Sequence, residues 1–103
     1  MVPEIDVDEL ARQDALGAVI IDVREDDEWR NGHLANARHI PLSTLPDRLA
    51  ELPTDQQFFV ICALGGRSAQ AVQFLRSESL DAVNVYGGMA AWIDSGRPHE
   101  LGQ

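Results

Sequence analysis

An α/β fold is what this sequence predicts, with a parallel sheet flanked by helices on both faces. Two observations carry it. Residues 18–23 and 58–61 are short, nearly unbroken apolar runs rich in β-branched and aromatic side chains, the pattern of strands buried on both faces. Between and after them come stretches of helical character, so strand and helix alternate along the chain. That order leads to parallel strands joined by helical crossovers.

The elements follow in sequence. Asp8 is placed to cap a short helix through Gln13, with Leu10 and Ala11 turned inward. The first strong strand covers residues 18–23. Residues 26–30 suit one or two helical turns, ended by Asn31-Gly32. Arg38-His39-Ile40 predicts a very short strand stopped by Pro41, and Thr44 a cap for a helix over 45–52 that tolerates Pro46 in its first turn. Residues 58–61 form the second strong strand, and a glycine-containing loop over 62–67 leaves it directly. A helix over 68–77 has Ala69, Val72 and Leu75 on one stripe, flanked by Ala71 and Phe74. Residues 82–86 read as a further strand, Gly87-Gly88 as a turn, and 89–94 as a last short helix before Ser95-Gly96. No repeat, low-complexity tract or linker interrupts the order, so residues 1–103 are expected to form one domain.

Composition narrows the function. Of the 103 residues 45% are apolar, enough to bury a core. Acidic residues outnumber basic ones 17 to 8, for a formal net charge of -9, which argues against nucleic acid or an anionic membrane as partner. A single cysteine excludes an internal disulfide and a Cys-rich zinc site, and three scattered histidines show no ligand spacing. Neither a metal nor a cofactor is expected. The acidic N-terminal stretch lacks the basic and apolar regions of a signal peptide, and no apolar run approaches membrane-spanning length. The expected location is cytoplasmic, where a lone cysteine stays reduced.

That cysteine is the informative residue. Cys62 falls at the carboxyl end of a buried strand, where open α/β sheets bind their ligands. The loop Ala63-Leu64-Gly65-Gly66-Arg67 then feeds a helix at Ser68. Successive N–H groups in such a loop can converge on one point, and the helix behind adds its positive end. Gly65 and Gly66 lack the Cβ atoms that would obstruct the curvature. A thiol there has a depressed pKa, and the same amides can hold a persulfide sulfur or an oxyanion. A lone cysteine ending a buried strand is commonly an inert small hydrophobe. An inert cysteine, however, has no need of a glycine loop wrapped around it.

The run Cys62-Ala63-Leu64-Gly65-Gly66-Arg67-Ser68 resembles the Cys-x-x-Gly-x-Arg-Ser loop of rhodanese-like sulfurtransferases. Three further segments agree in order and spacing. Ile21-Asp22-Val23-Arg24-Glu25, with Glu28-Trp29 and Gly32-His33-Leu34, is similar to the family's Asp-Val-Arg and Gly-His-Ile stretches. Ala37-Arg38-His39-Ile40-Pro41-Leu42 resembles its Ala-x-Asn-Ile-Pro segment. The run from Val83 through Gly87-Gly88 to Trp92, then Gly96-Arg97-Pro98, resembles its Gly-Gly-x-x-x-Trp signature. Together they cover about residue 5 to Pro98.

The resemblance implies a five-stranded parallel sheet with the Cys62 strand central, and sulfur transfer through a Cys62 persulfide. Ala63, Leu64, Gly65, Gly66, Arg67 and Ser68 would form the substrate cradle. The donor would be a small sulfane-sulfur compound such as thiosulfate or a persulfide. The acceptor would be cyanide, a thiol or a dedicated acceptor protein. Phosphatases and arsenate reductases share this fold with a longer loop, whereas the six residues from Cys62 to Arg67 match the sulfurtransferases. A non-catalytic interaction module is the rival from another class, and the intact Cys62 argues against it.

The departures lie outside the loop. Ala35 and Asn36 replace a common Pro-Gly pair, with Asn tolerating positive φ. His39 replaces a frequent Asn, and Ser79 a frequent Gly. Asp22 and Arg24 are read as structural support of the loop, with Arg67 the expected partner of Asp22. Arg24 and Arg38 can alternatively help bind an anionic donor. Trp29 and Trp92 are expected to close the ends of the sheet, and His33 to act as a structural hydrogen-bonding residue.

Overall fold

Neighbours along each strand part company in the core. In the computed structural model, which describes residues 2–102, Ile21, Phe58, Val60 and Cys62 join one buried cluster, while Ile20, Phe59 and Ile61 join another. This is the two-residue period of a strand buried on both faces. Among the described residues five strands make one sheet: β1 (Glu4–Ile5), β2 (Ile20–Asp22), β3 (Arg38–His39), β4 (Phe58–Ile61) and β5 (Ala82–Val85). Their order is β1-β5-β4-β2-β3, and every pair is parallel. β4 is therefore central.

Helices α1 (Val7–Ala15) and α4 (Gly88–Asp94) supply Val7, Leu10, Met89 and Trp92 to the Ile20 side. Helix α3 (Gly66–Ser77) covers the Cys62 side with Ala71, Val72 and Leu75. Its buried residues, Ser68, Ala71, Val72 and Leu75, have strict helical spacing, and Ala69 is only half-buried rather than central to the stripe. The short helix α2 (Asp26–Arg30) buries no residue. None of the helices among the described residues is long and apolar enough to cross a membrane.

Several local expectations are corrected. The first helix is capped by Asp6, whose Oδ1 accepts the Glu9 N–H at 2.9 Å. Burial of Val7 draws the helix start forward, and Asp8 sits in the first turn, paired with Arg97 at 2.8 Å. Residues 45–52 form no α-helix. Two 3₁₀ segments, Leu42–Asp47 and Leu49–Glu51, stand there, and the Thr44 hydroxyl donates back to the Pro41 carbonyl at 2.8 Å. Pro46 lacks the N–H that an α-helix would direct to Leu42, so the tighter turn prevails. Asn36 does not use positive φ; its Nδ2 donates to Asp14 at 3.2 Å. Ser79 does adopt it, at 65°, alone among described non-glycine residues.

β1 is too short to carry a periodicity, and it forms because Glu4 and Ile5 pair with Asn84 and Val85. Trp92 is buried, its Nε1–H donating to the Pro98 carbonyl at 2.9 Å. The Trp29 ring is stacked on His33 and His39 at 3.6 and 4.7 Å. His33 Nδ1 lies 2.8 Å from the Trp29 carbonyl, and its backbone exchanges hydrogen bonds with Glu100.

Candidate active site

Ending the central strand, β4 delivers Cys62 to the carboxyl edge of the sheet, and the chain turns at once into α3. The turn is made by Gly65 at φ 109°, where a side chain would be strained. Its N–H donates to Cys62 Sγ at 3.1 Å. The Ser68 hydroxyl, fully buried one turn along, donates to the same sulfur at 3.2 Å. Burial pushes the Cys62 thiol up. The Ser68 hydroxyl and the amides of Ser68, Gly65 and Leu64 outweigh that burial together, and the pKa lies below its ordinary value. Cys62 is only 1% exposed, so its sulfur is recessed beneath the loop.

The loop residues divide by function. Leu64, Gly65 and Ser68 turn donors toward the sulfur, whereas Ala63 is used through its carbonyl. The Cys62 and Ala63 carbonyls accept the Met89 and Ala90 N–H groups at 2.9 and 3.0 Å, which ties the loop to α4. Gly66 has an ordinary φ and open space around it, so it opens the helix without needing to be glycine. The helix starts two residues before the predicted Ser68, and Arg67 lies in its first turn.

Arg67 does not reach Asp22. Its Nη1 and Nη2 donate to the two carboxylate oxygens of Glu28 at 2.7 and 2.8 Å. Asp22 instead accepts Arg24 Nε at 3.0 Å, Arg24 Nη2 at 2.8 Å and the Arg24 backbone N–H at 3.0 Å. Arg24 Nη2 also donates to the Gly32 carbonyl at 2.7 Å, so this buried pair fastens the end of β2 to the segment after α2. It supports the loop only at second hand, through the Val23 N–H on the Ile61 carbonyl at 3.1 Å. Arg24 is buried and engaged, and Arg38 donates to the Glu51 carbonyl.

Three residues support the site in roles that their sequence context does not indicate. Glu28 is one; 39 positions separate it from Arg67, and no local pattern links them. Asn84 is the second. Buried in β5, it donates Nδ2 to Glu4 at 2.8 Å and to the Gly65 carbonyl at 3.2 Å, and both neighbours being acceptors fixes which way the amide faces. Its Oδ1 is buried without a partner. Gly88 is the third. A Cβ there would come within 2.6 Å of the Ala63 carbonyl oxygen and closer still to that of Cys62. The Gly87-Gly88 pair was legible as a turn, and its close approach to the Cys62 loop was not.

Fold and site together define a parallel α/β protein with a buried, hydrogen-bonded cysteine at the end of its central strand. The profile of the Rhodanese-like domain family matches residues 6–95, and the chain belongs to that family. It is 33% identical over 101 residues to a protein of Allochromatium vinosum named Sulfurtransferase, covering 95% of this chain and 94% of that one. It is 34% identical over 77 residues to Thiosulfate sulfurtransferase GlpE of Stutzerimonas stutzeri, covering 74% and 71% of the two chains. The crystal structure of a rhodanese-like domain protein from Staphylococcus aureus superposes with a TM-score of 0.88 at 39% identity, over 98% of this chain and 99% of that one.

Proposed function

We propose that this chain is a sulfurtransferase in which Cys62 carries a sulfane sulfur as a persulfide, taking it from a donor such as thiosulfate or a persulfide. The observation that carries the reading is the pair of hydrogen bonds to Cys62 Sγ, from Gly65 N–H and Ser68 Oγ–H. They favour the thiolate, which is the nucleophile. The thiolate attacks the outer sulfur of the donor, a new S–S bond forms to Cys62, and the donor's own S–S bond breaks. With thiosulfate the electron pair leaves on sulfite. A thiol acceptor or cyanide then attacks the outer sulfur of the Cys62 persulfide and returns the cysteine as thiolate. Charge and electrons balance in both steps, and no oxidant is needed.

Donors preorganised around the sulfur before reaction stabilise the thiolate and then the persulfide anion at little reorganisation cost. The names borne by the relatives support sulfur transfer as the chemistry. A reducing compartment such as the cytoplasm suits a carrier with one cysteine. The acceptor is a small thiol or a dedicated acceptor protein.

Cys62→Ser tests this directly, because no second thiol exists to take over. The variant should keep the wild-type far-ultraviolet circular dichroism and lose thiosulfate:cyanide sulfurtransferase activity. Residual activity above a few per cent of wild type would remove Cys62 from the role of carrier.

A further inference from the structure

One cation lies within the Cys62 loop, Arg67, and it is not free. Both of its terminal nitrogens are held by Glu28, at 2.7 and 2.8 Å. The Glu28 carboxylate cannot readily swing away, since its Oε1 also accepts the Glu25 N–H at 3.0 Å in the capping box that opens α2. The Arg67 hydrogen bonds hold its pKa at about 2, so it is charged at any working pH. Arg24, whose charge also reaches Glu28, is itself buried against Asp22. The cradle therefore offers hydrogen-bond donors but no net positive charge. At the same edge of the sheet two large apolar side chains stand exposed, Leu64 at 75% and Tyr86 at 65%.

We propose that Glu28 sets donor specificity: by neutralising Arg67 it turns the Cys62 site away from dianionic donors and toward the persulfides of thiols. This rests on the sulfurtransferase reading above. A thiol persulfide carries a single charge on its outer sulfur and a carbon skeleton that can lie against Leu64 and Tyr86. Thiosulfate carries two charges and no carbon. The reaction remains balanced: the Cys62 thiolate attacks the outer sulfur of R–S–S⁻, an S–S bond forms to Cys62 as the donor's own S–S bond breaks, the electron pair leaves on R–S⁻, and Cys62 becomes the persulfide anion.

Coulomb energy is linear in donor charge, so removing the Glu28 charge has twice the logarithmic effect on a dianion as on a monoanion. Glu28→Gln should raise the second-order rate of loading from thiosulfate on the order of tenfold and that from a monoanionic persulfide roughly threefold. Glutamine serves the capping box as well as glutamate does, so α2 is expected to persist. Glu28→Ala is the companion variant, removing the same charge without an amide.

The experiment follows sulfur addition to Cys62 by intact mass, using thiosulfate and the persulfide of N-acetylcysteine amide, at a pH where the thiolate is fully formed. In both variants the thiosulfate-to-persulfide rate ratio should rise about threefold over wild type and fall back as salt is added. If neither donor adds sulfur to the wild type, the sulfurtransferase reading itself falls. If both donors load and the two variants leave the ratio unchanged, that reading stands and the role given to Glu28 is overturned.

Discussion

Replacing Ser68 by alanine removes one hydroxyl from a fully buried position and leaves the Gly65 and Leu64 amides in place. The bond at stake runs from Ser68 Oγ to Cys62 Sγ at 3.2 Å. A hydrogen bond to a charged group contributes about 1.5–3 kcal/mol. At about 1.4 kcal/mol per pKa unit, its loss should raise the Cys62 midpoint by about 1–2 units. Iodoacetamide alkylation followed against pH reads that midpoint, because the thiolate is the reactive form. A shift below about a third of a unit would refute the assignment of Ser68 as a main stabiliser of the anion.

The same change has a thermodynamic signature with a definite sign. A thiol whose folded pKa is depressed binds fewer protons folded than unfolded between the two values, so stability rises with pH across that window. The contribution is fully present above the unfolded value of about 8.5 and is lost as pH falls through the folded one. Ser68→Ala narrows the window. Its destabilisation relative to wild type should therefore be larger at alkaline than at mildly acidic pH, by about 1.4 kcal/mol per unit of midpoint shift. Urea unfolding at two pH values measures it, and a pH-independent difference would mean that the hydroxyl acts through packing alone.

Asn84→Ala removes the hook from β5 onto the Gly65 carbonyl. It should raise the alkylation midpoint by less than Ser68→Ala does and cost about 1–2 kcal/mol in urea unfolding; an unmoved midpoint would leave Asn84 a purely structural residue. Gly88→Ala forces a Cβ onto the Cys62 and Ala63 carbonyls, and should destabilise by about 2–4 kcal/mol while slowing sulfur loading. Near-wild-type stability would show that the two loops can separate without consequence.

What the sequence made legible follows from the range of the forces involved. Residues 58–61 were readable because four successive buried side chains leave a solid apolar run, and the observed strand has those bounds. The Cys62 loop was readable because its donors come from within six positions of the sulfur. Residues 45–52 failed because one missing N–H at Pro46 decides between two helices of similar composition. β1 was invisible since two residues form no pattern, and pairing with β5 alone makes them a strand. Arg67 was paired with Asp22 because Asp22 ends the strand expected beside the loop. The fold instead gives Asp22 its near neighbour Arg24 and gives Arg67 a carboxylate 39 positions away.

The chain's formal charge of -9 opposes a thiolate, yet Cys62 is shifted toward ionisation. Two different ranges of interaction reconcile these facts. Carboxylates spread over the surface act through water and are screened beyond about 8–10 Å at ordinary ionic strength. The hydroxyl and amides act at contact, in a recess where the sulfur is nearly fully buried and solvent cannot compete. Arg67 adds little net field because Glu28 cancels it, so the anion is held by dipoles rather than by ions. Salt should then barely move the Cys62 alkylation midpoint. A site relying on an unpaired arginine would show a midpoint that climbs as salt screens the guanidinium. Measuring the midpoint from low to high ionic strength separates the two, and a marked upward drift would contradict the dipole account. The approach of a charged donor passes through the screened region outside the recess, so loading from thiosulfate should vary with salt even where the thiolate does not.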